Sequence, residues 1–252
     1  PMPKGANAVV MVEYTSEESG NITIYKSVYP GENVLNAGAD IMIGELVLRK
    51  GQTLSPREIG VLASIGVEKV KVYSKPDVAL ISTGDEIISL NETLSYGKVY
   101  DINTYSISAS LIECGCNPII IGICRDDEDE LKDFLTQALN RAEMVITSGS
   151  TSAGIGDTMY RILNELGQPG VILHGISIKP GKPTIVADIN GKIVFGLPGY
   201  PTSALTIFNV LVRPFLCKLS GKPQSQPKKI KAYSAMRIHS TEGRRYFLPV
   251  SL

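Results

Sequence analysis

Val78-Ala79-Leu80-Ile81-Ser82-Thr83-Gly84-Asp85-Glu86 opens the part of the chain that decides its fold. Four apolar residues with no polar alternation read as a strand buried on both faces, and the run ends in a small, polar, glycine-containing loop. The same unit recurs downstream. Thr104 to Glu113 reads as a helix, Pro118 to Ile123 as the next buried strand, and Asp126 as the N-cap of a helix through Leu139. Asp127, Glu128 and Asp129 fall in that helix's first turn, where carboxylates suit the positive end of the dipole. Met144-Val145-Ile146-Thr147 is a third strand, and a glycine-rich loop leads into a helix from Thr158 to Leu166. Val171 to Ile178 and Ile193 to Phe195 read as strands bracketing a hairpin-like Asn190-Gly191 turn that follows Thr184 to Asp188. A last helix begins near Thr202 and is interrupted or kinked before Pro214, because proline lacks the N–H a helix interior needs. This alternation predicts an α/β domain over residues 76–220, a parallel sheet covered by helices on both faces in three layers.

The flanking stretches read differently. Ala8 to Val12 and Ile22 to Tyr25 are strand-like and close on a Tyr29-Pro30-Gly31 turn, so 1–30 reads as part of a small β domain. Residues 31–75 read as a linker or small α+β domain. Within it Ser55 is a natural N-cap, Pro56 suits the first helical position, and Glu58 completes a capping box for a helix through Ile65. Residues 221–252 are basic and strand-like, the beginning of a further β domain. These segments are additional small mainly-β and mixed parts beside the α/β domain.

Composition narrows the function. The 252 residues are 43% hydrophobic, with 25 acidic and 25 basic side chains. No global field favours nucleic acid or an anionic membrane, so an anion site must be built from a few placed groups. No apolar run reaches the roughly 18 residues of a bilayer span and no signal-type segment opens the chain, so the expected setting is cytoplasmic. Cys114, Cys116, Cys124 and Cys217 lack paired spacing, and with only His174 and His239 to join them they read as buried structural thiols rather than zinc ligands.

The unusual residues all fall just past strand ends. Ser82 to Glu86 follows the first sheet strand, Arg125-Asp126-Asp127 the second, Ser148 to Asp157 the third, Lys179-Pro180-Gly181-Lys182-Pro183 the fourth, and Gly196-Leu197-Pro198-Gly199-Tyr200-Pro201 the fifth. In an open parallel sheet that edge is where ligands bind, so the five loops define one crevice. Backbone N–H groups of Ser148, Gly149, Ser150, Thr151, Ser152 and Gly154 suit a phosphate above a helix N-terminus, against the plainer alternative of a tight turn. Lys179 and Lys182 flank a stiff Pro-Gly and either hold an anion or stay solvated. Glu86, Asp126 and Asp157 sit on three adjacent loops and either share a hard cation such as Mg2+, or divide into a helix cap and an outward carboxylate with Asp85 pointing inward. Asp101 and Asn103 either orient a ligand or cap the helix near Thr104. His174 reads as packing against the sheet edge.

At these residues the chain resembles the molybdopterin molybdenumtransferases, the family of bacterial and archaeal MoeA proteins and the E-domain of gephyrin. Pro3 to Val10 resembles its PxGADAVV segment, Ser82 to Glu86 its STGDE, and Gly97 to Asn103 its G-x-[IV]-Y-D-x-N. Ser148 to Asp157 resembles SGG-x-S-x-G-x-x-D, Lys179 to Pro183 is KPGKP, and Gly196 to Pro201 resembles GLPGNP. The resemblance implies an elongated homodimer that uses adenylylated molybdopterin and molybdate, releases AMP and is assisted by Mg2+. By position it implies catalytic and metal-binding roles for Glu86, Asp126 and Asp157. It implies substrate contacts from Thr83, Gly84, Asp101, Asn103, the Ser148–Gly154 loop, Lys179 to Lys182, Pro198, Gly199, Tyr200 and Ser203. Three departures stand out: Ser150 replaces a second glycine, Tyr200 an asparagine and Gly175 a lysine found in some members. The family's N-terminal region and most of its last β domain have no counterpart here, so the expectation is an incomplete chain. Two rivals remain, the related molybdopterin adenylyltransferase and a non-catalytic pterin-binding scaffold module. Residues 1–75 together with KPGKP favour the molybdate-inserting branch.

Overall fold

The computed structural model describes residues 2–149, 155–222, 230–233, 235–238 and 243–250. Its contacts divide the chain into two compact units, Pro1–Glu68 and Lys69–Leu252.

In the first unit, β1 (Thr15–Glu18) and β2 (Asn21–Ile24) form an antiparallel hairpin. Its two-residue turn is Ser19-Gly20, both with positive φ, the backbone that matches the twist of paired strands. The expected Ala8–Val12 strand does not form: the apolar run ends in a single 3-10 turn, Val12–Tyr14. Helix α1 (Pro56–Ser64) starts as expected. The Ser55 hydroxyl accepts from the Arg57 N–H at 3.3 Å, and Glu58 Oε2 accepts from the Ser55 N–H at 2.9 Å. The Ser55 hydroxyl, which also donates to Glu58 Oε2, and then the Ser55 N–H hold the Glu58 carboxyl down at about 2.

The second unit is built on a six-stranded sheet. Its strands are β3 (Asp77–Thr83), β6 (Asn117–Cys124), β7 (Met144–Ser148), β8 (Pro169–His174), β10 (Ile185–Ile189) and β11 (Lys192–Leu197), in spatial order β6-β3-β7-β11-β10-β8. The sheet is mainly parallel. β10 alone runs against its neighbours, because the positive-φ Asn190-Gly191 turn folds β11 straight back on it. The two-residue strands β4 (Ile87–Ile88) and β5 (Val99–Tyr100) pair beside the sheet. The expected Val171–Ile178 strand is shorter: it stops at His174, where Gly175 takes φ +79° and its N–H donates to the Thr184 carbonyl. Beyond that break β9 (Ile178–Lys179) pairs in parallel with β12 (Arg245–Tyr246).

Alternation along β3 builds three layers. Val78 and Leu80 face α2 (Asn103–Glu113), α5 (Pro201–Ile207) and α6 (Arg213–Leu219), in a core with Ile107, Leu111, Phe208 and Leu216. Ala79 and Ile81 face α3 (Glu128–Arg141) and α4 (Ile155–Leu166), in a core with Leu135, Met159 and Leu163. The expected irregularity before Pro214 is a π turn, Phe208–Val212, which joins α5 to α6 and absorbs the missing proline N–H. The resulting run of 19 residues, Pro201–Leu219, contains an 18-residue window of mean hydropathy 1.2, enough by length and composition to span a bilayer. Its Ala204, Ile207, Phe208, Val212 and Leu216 are instead buried against the sheet. His174 stacks on Tyr160 at 5.3 Å at the sheet edge, the packing role expected of it.

Candidate functional site

β3, β6, β7 and β11 all end at one edge of the sheet, and the connection from β8 to β10 crosses the same edge. A cleft of about 670 Å³ opens there. Ser82, Thr83 and Glu86 form one side, Tyr100 to Asn103 another, Ser148 and Gly149 the floor, and Gly181, Pro183, Pro198 to Pro201 and Ser203 the far wall. Ile87 and Val99 complete it. Ser82, Tyr100, Ile102, Pro183 and Pro201 lay within the motifs read from the sequence but were given no site role of their own there.

Cross-loop hydrogen bonds and close backbone approach fix this geometry. Thr83 Oγ1 donates to the Ser148 carbonyl at 3.3 Å, the Gly149 N–H to the Leu197 carbonyl at 3.2 Å, and the Gly84 N–H to the Cys124 carbonyl at 3.1 Å. Gly149 sits at φ +115°, and a Cβ there would lie 2.0 Å from the Thr83 carbonyl oxygen. Only glycine fits. Gly181, at φ +120°, is pressed on α5 in the same way, with a Cβ position 2.2 Å from Ile207 Cδ1.

The pair Asp101 and Asn103 splits its two readings. Asp101 Oδ1 accepts from the Thr104 N–H at 3.0 Å and so caps α2. Asn103, relieved of capping, points Nδ2 to Ser148 Oγ at 2.6 Å and to the Gly199 carbonyl at 2.7 Å, tying three loops together. Both residues are buried and line the cleft.

The acidic residues also sort themselves. Asp127, not Asp126, caps α3, its side chain accepting from the Glu130 N–H at 2.9 Å. The expected Asp126 cap is therefore corrected by one residue, since α3 begins at Glu128. Asp126 is left to face Asp85, whose Oδ1 accepts from the Asp126 N–H at 3.2 Å. Burial first, then the charges of Asp85 and Glu86, push the Asp126 carboxyl upward. Asp126 lines a smaller recess of about 220 Å³ with Arg125, Asp127, Glu128 and Thr158, and Thr83 is the wall between recess and cleft. Asp157 is exposed in the first turn of α4 and lines neither space. Among the described residues, no three His, Cys, Asp or Glu side chains gather as a ready metal cage.

Neither Lys179 nor Lys182 is among the residues lining the cleft. Lys179 places its ammonium 4.9 Å from the Tyr246 ring centre, and Lys182 is exposed, while Gly181 and Pro183 between and beside them line the cavity. Ser150, Thr151, Ser152 and Gly154 lie outside the described residues. Tyr200 stands at the rim, 75% exposed, and so leaves the cavity open. Cys114, Cys116 and Cys124 are buried, as expected of structural thiols, and burial pushes Cys124 up to about 12.

Comparison with known proteins agrees with this architecture. The family model described as the probable molybdopterin binding domain matches residues 79–218, and that of the MoeA N-terminal region (domain I and II) matches residues 1–66. The chain is 36% identical over 248 residues to the molybdopterin molybdenumtransferase of Haemophilus influenzae, covering 98% of this chain and 61% of that protein. It is 34% identical over 255 residues to the Nostoc enzyme of the same name, covering 100% of this chain and 58% of that one. The crystal structure of the molybdopterin biosynthesis MoeA protein from Pyrococcus horikoshii is similar at 42% identity and a TM-score of 0.74, over 88% of this chain and 55% of that one. The chain thus spans a little over half the length of these relatives. Family models over both units, together with relatives more than 30% identical across nearly the whole chain, establish that it belongs to the molybdopterin molybdenumtransferase family.

Proposed function

We propose that the chain acts in molybdenum cofactor biosynthesis, inserting molybdate into adenylylated molybdopterin with release of AMP. The observation that carries this reading is the cleft at the carboxyl edge of the sheet, whose glycine-tight floor and polar rim suit a flat heterocycle. The match of residues 1–66 to the MoeA N-terminal region favours molybdate insertion over adenylylation.

In this scheme the ring lies in the cleft against Asn103, Ser148 and Gly199, with Tyr200 free to close over it. The proline-lined wall of Pro183, Pro198 and Pro201 excludes water from the bound ligand. Breaking the phosphoanhydride places charge on phosphate oxygens, and placed donors stabilise it. Asp85 and Glu86 add like charge beside Asp126, whose carboxyl is raised first by burial and then by these two charges, and such a corner fits a hydrated Mg2+ held by one or two carboxylates better than a three-carboxylate set including Asp157. When bound, Mg2+ would neutralise charge on phosphate and oxyanion oxygens. The proposal includes a homodimer in the cytoplasm, and exposed Val12, Tyr29 and Ile43 in the first unit supply apolar surface for a subunit contact.

AMP release from adenylylated molybdopterin with molybdate and Mg2+ tests the reading. Release by the chain, lowered at least tenfold in Glu86→Gln, supports it. Binding without release overturns the transferase step and leaves a pterin-binding module.

A further inference from the structure

Asn103 Oδ1 is a buried acceptor with no hydrogen-bond partner, and its residue is 8% exposed and lines the cleft. The orientation of its amide is fixed. The Gly199 carbonyl can only accept, so the atom 2.7 Å from it is the nitrogen, and Nδ2 also gives a hydrogen to Ser148 Oγ at 2.6 Å. Both donors are consumed by the scaffold and only the oxygen is left over. A buried acceptor is rarely left unmade without a reason in function.

Its surroundings point the same way. Glu86 and Asp101 are the charged side chains in the lining of the cleft, and among the described residues that lining holds no lysine, arginine or histidine. This wall accepts hydrogen bonds and repels anions. A bare phosphate or molybdate meets two carboxylates and no cationic side chain among the described lining residues. A heterocycle that carries N–H groups on its edge, such as an amino-lactam, meets acceptors.

We infer that Asn103 is a specificity-determining residue whose Oδ1 accepts an N–H from the ring of the bound ligand, so that the cleft takes the donor-bearing edge of a pterin. The inference rests on the reading of the cleft as a ring site. It adds which end enters and which atom reads it.

The test uses equilibrium binding of two phosphate-free probes to the chain: pterin, which carries a lactam N–H and an amino group, and 1,3-dimethyllumazine, a pteridine of similar outline with no N–H. Pterin is expected to bind about 10- to 100-fold more tightly. Asn103→Leu, similar in size, brings the two affinities to within about threefold. Equal affinities for the unsubstituted chain overturn the assignment to Asn103 and leave the ring site standing, whether or not the leucine variant folds. A preference that persists in Asn103→Leu also overturns it, because exclusion of the methyl groups by shape then explains the result. Binding of neither probe overturns both the assignment and the ring site.

Discussion

Asn103 Nδ2 lies 2.6 Å from Ser148 Oγ, joining the start of α2 to the end of β7 across 45 residues of sequence. The same nitrogen reaches the Gly199 carbonyl, so one amide holds three of the loops that shape the cleft. Asn103→Ala leaves two buried partners unsatisfied and is expected to cost about 2 kcal/mol. That lowers Tm by about 4–8 °C for a chain of this size. Thermal denaturation followed by circular dichroism checks it, and an unchanged midpoint would mean that the amide does not hold the loops.

Glycines at the cleft differ from glycines elsewhere. Gly149→Ala drives a methyl into the Thr83 carbonyl and is expected to destabilise by more than about 3 kcal/mol. Gly191→Ala also meets a positive φ, but nothing lies within 4 Å of its Cβ position, so only the left-handed strain of about 1–2 kcal/mol remains. Urea denaturation of the two variants side by side checks the order, and equal losses contradict the close approach.

Acid acts on the capping box of α1. The Glu58 carboxyl is held at about 2, below its ordinary value of 4.5, chiefly by the Ser55 hydroxyl and then by the Ser55 N–H. A depressed carboxylate stabilises above the unfolded value and loses that stabilisation as pH falls through the folded one. The start of α1 therefore stays capped at pH 5 and frays between about pH 4.5 and 2. Side-chain titration by NMR should place Glu58 near 2, and a value near 4.5 removes the cap from the account.

The thiols should be silent in the folded chain. Burial raises Cys116 to about 11 and Cys124 to about 12, so at pH 8 neither is a thiolate. A thiol-specific reagent is expected to label half-buried Cys217 first and the other three only on unfolding. Rapid labelling of Cys124 in the native state contradicts its placement beneath α3.

Much of this was legible in the sequence because local rules and global packing agree. The apolar run Val78–Ile81, the Asn190-Gly191 turn and the Ser55–Glu58 cap each specify one backbone, and each forms. What was not legible depends on distance between residues far apart in sequence. Nothing local separates Asp126 from Asp127 as the cap of α3; the position of Asp85 does. The sequence left the lysines of Lys179-Pro180-Gly181-Lys182 either holding an anion or solvated, and it could not show that Lys179 lies over Tyr246, far on in the chain, in a strand pair that follows the break at Gly175. The antiparallel turn of β10 was implicit in the hairpin but hidden by the alternation of strands and helices before it.

Hydrogen exchange with and without molybdopterin tests the central claim most directly, because it reports where the ligand sits without requiring turnover. Backbone amides at Ser82–Ile87, Val99–Asn103 and Gly199–Ser203 are predicted to slow when ligand is added, while those around Asn190-Gly191 at the opposite end of the sheet keep their rates. Protection confined to that far end, or absent from all three cleft segments at saturating ligand, contradicts the account.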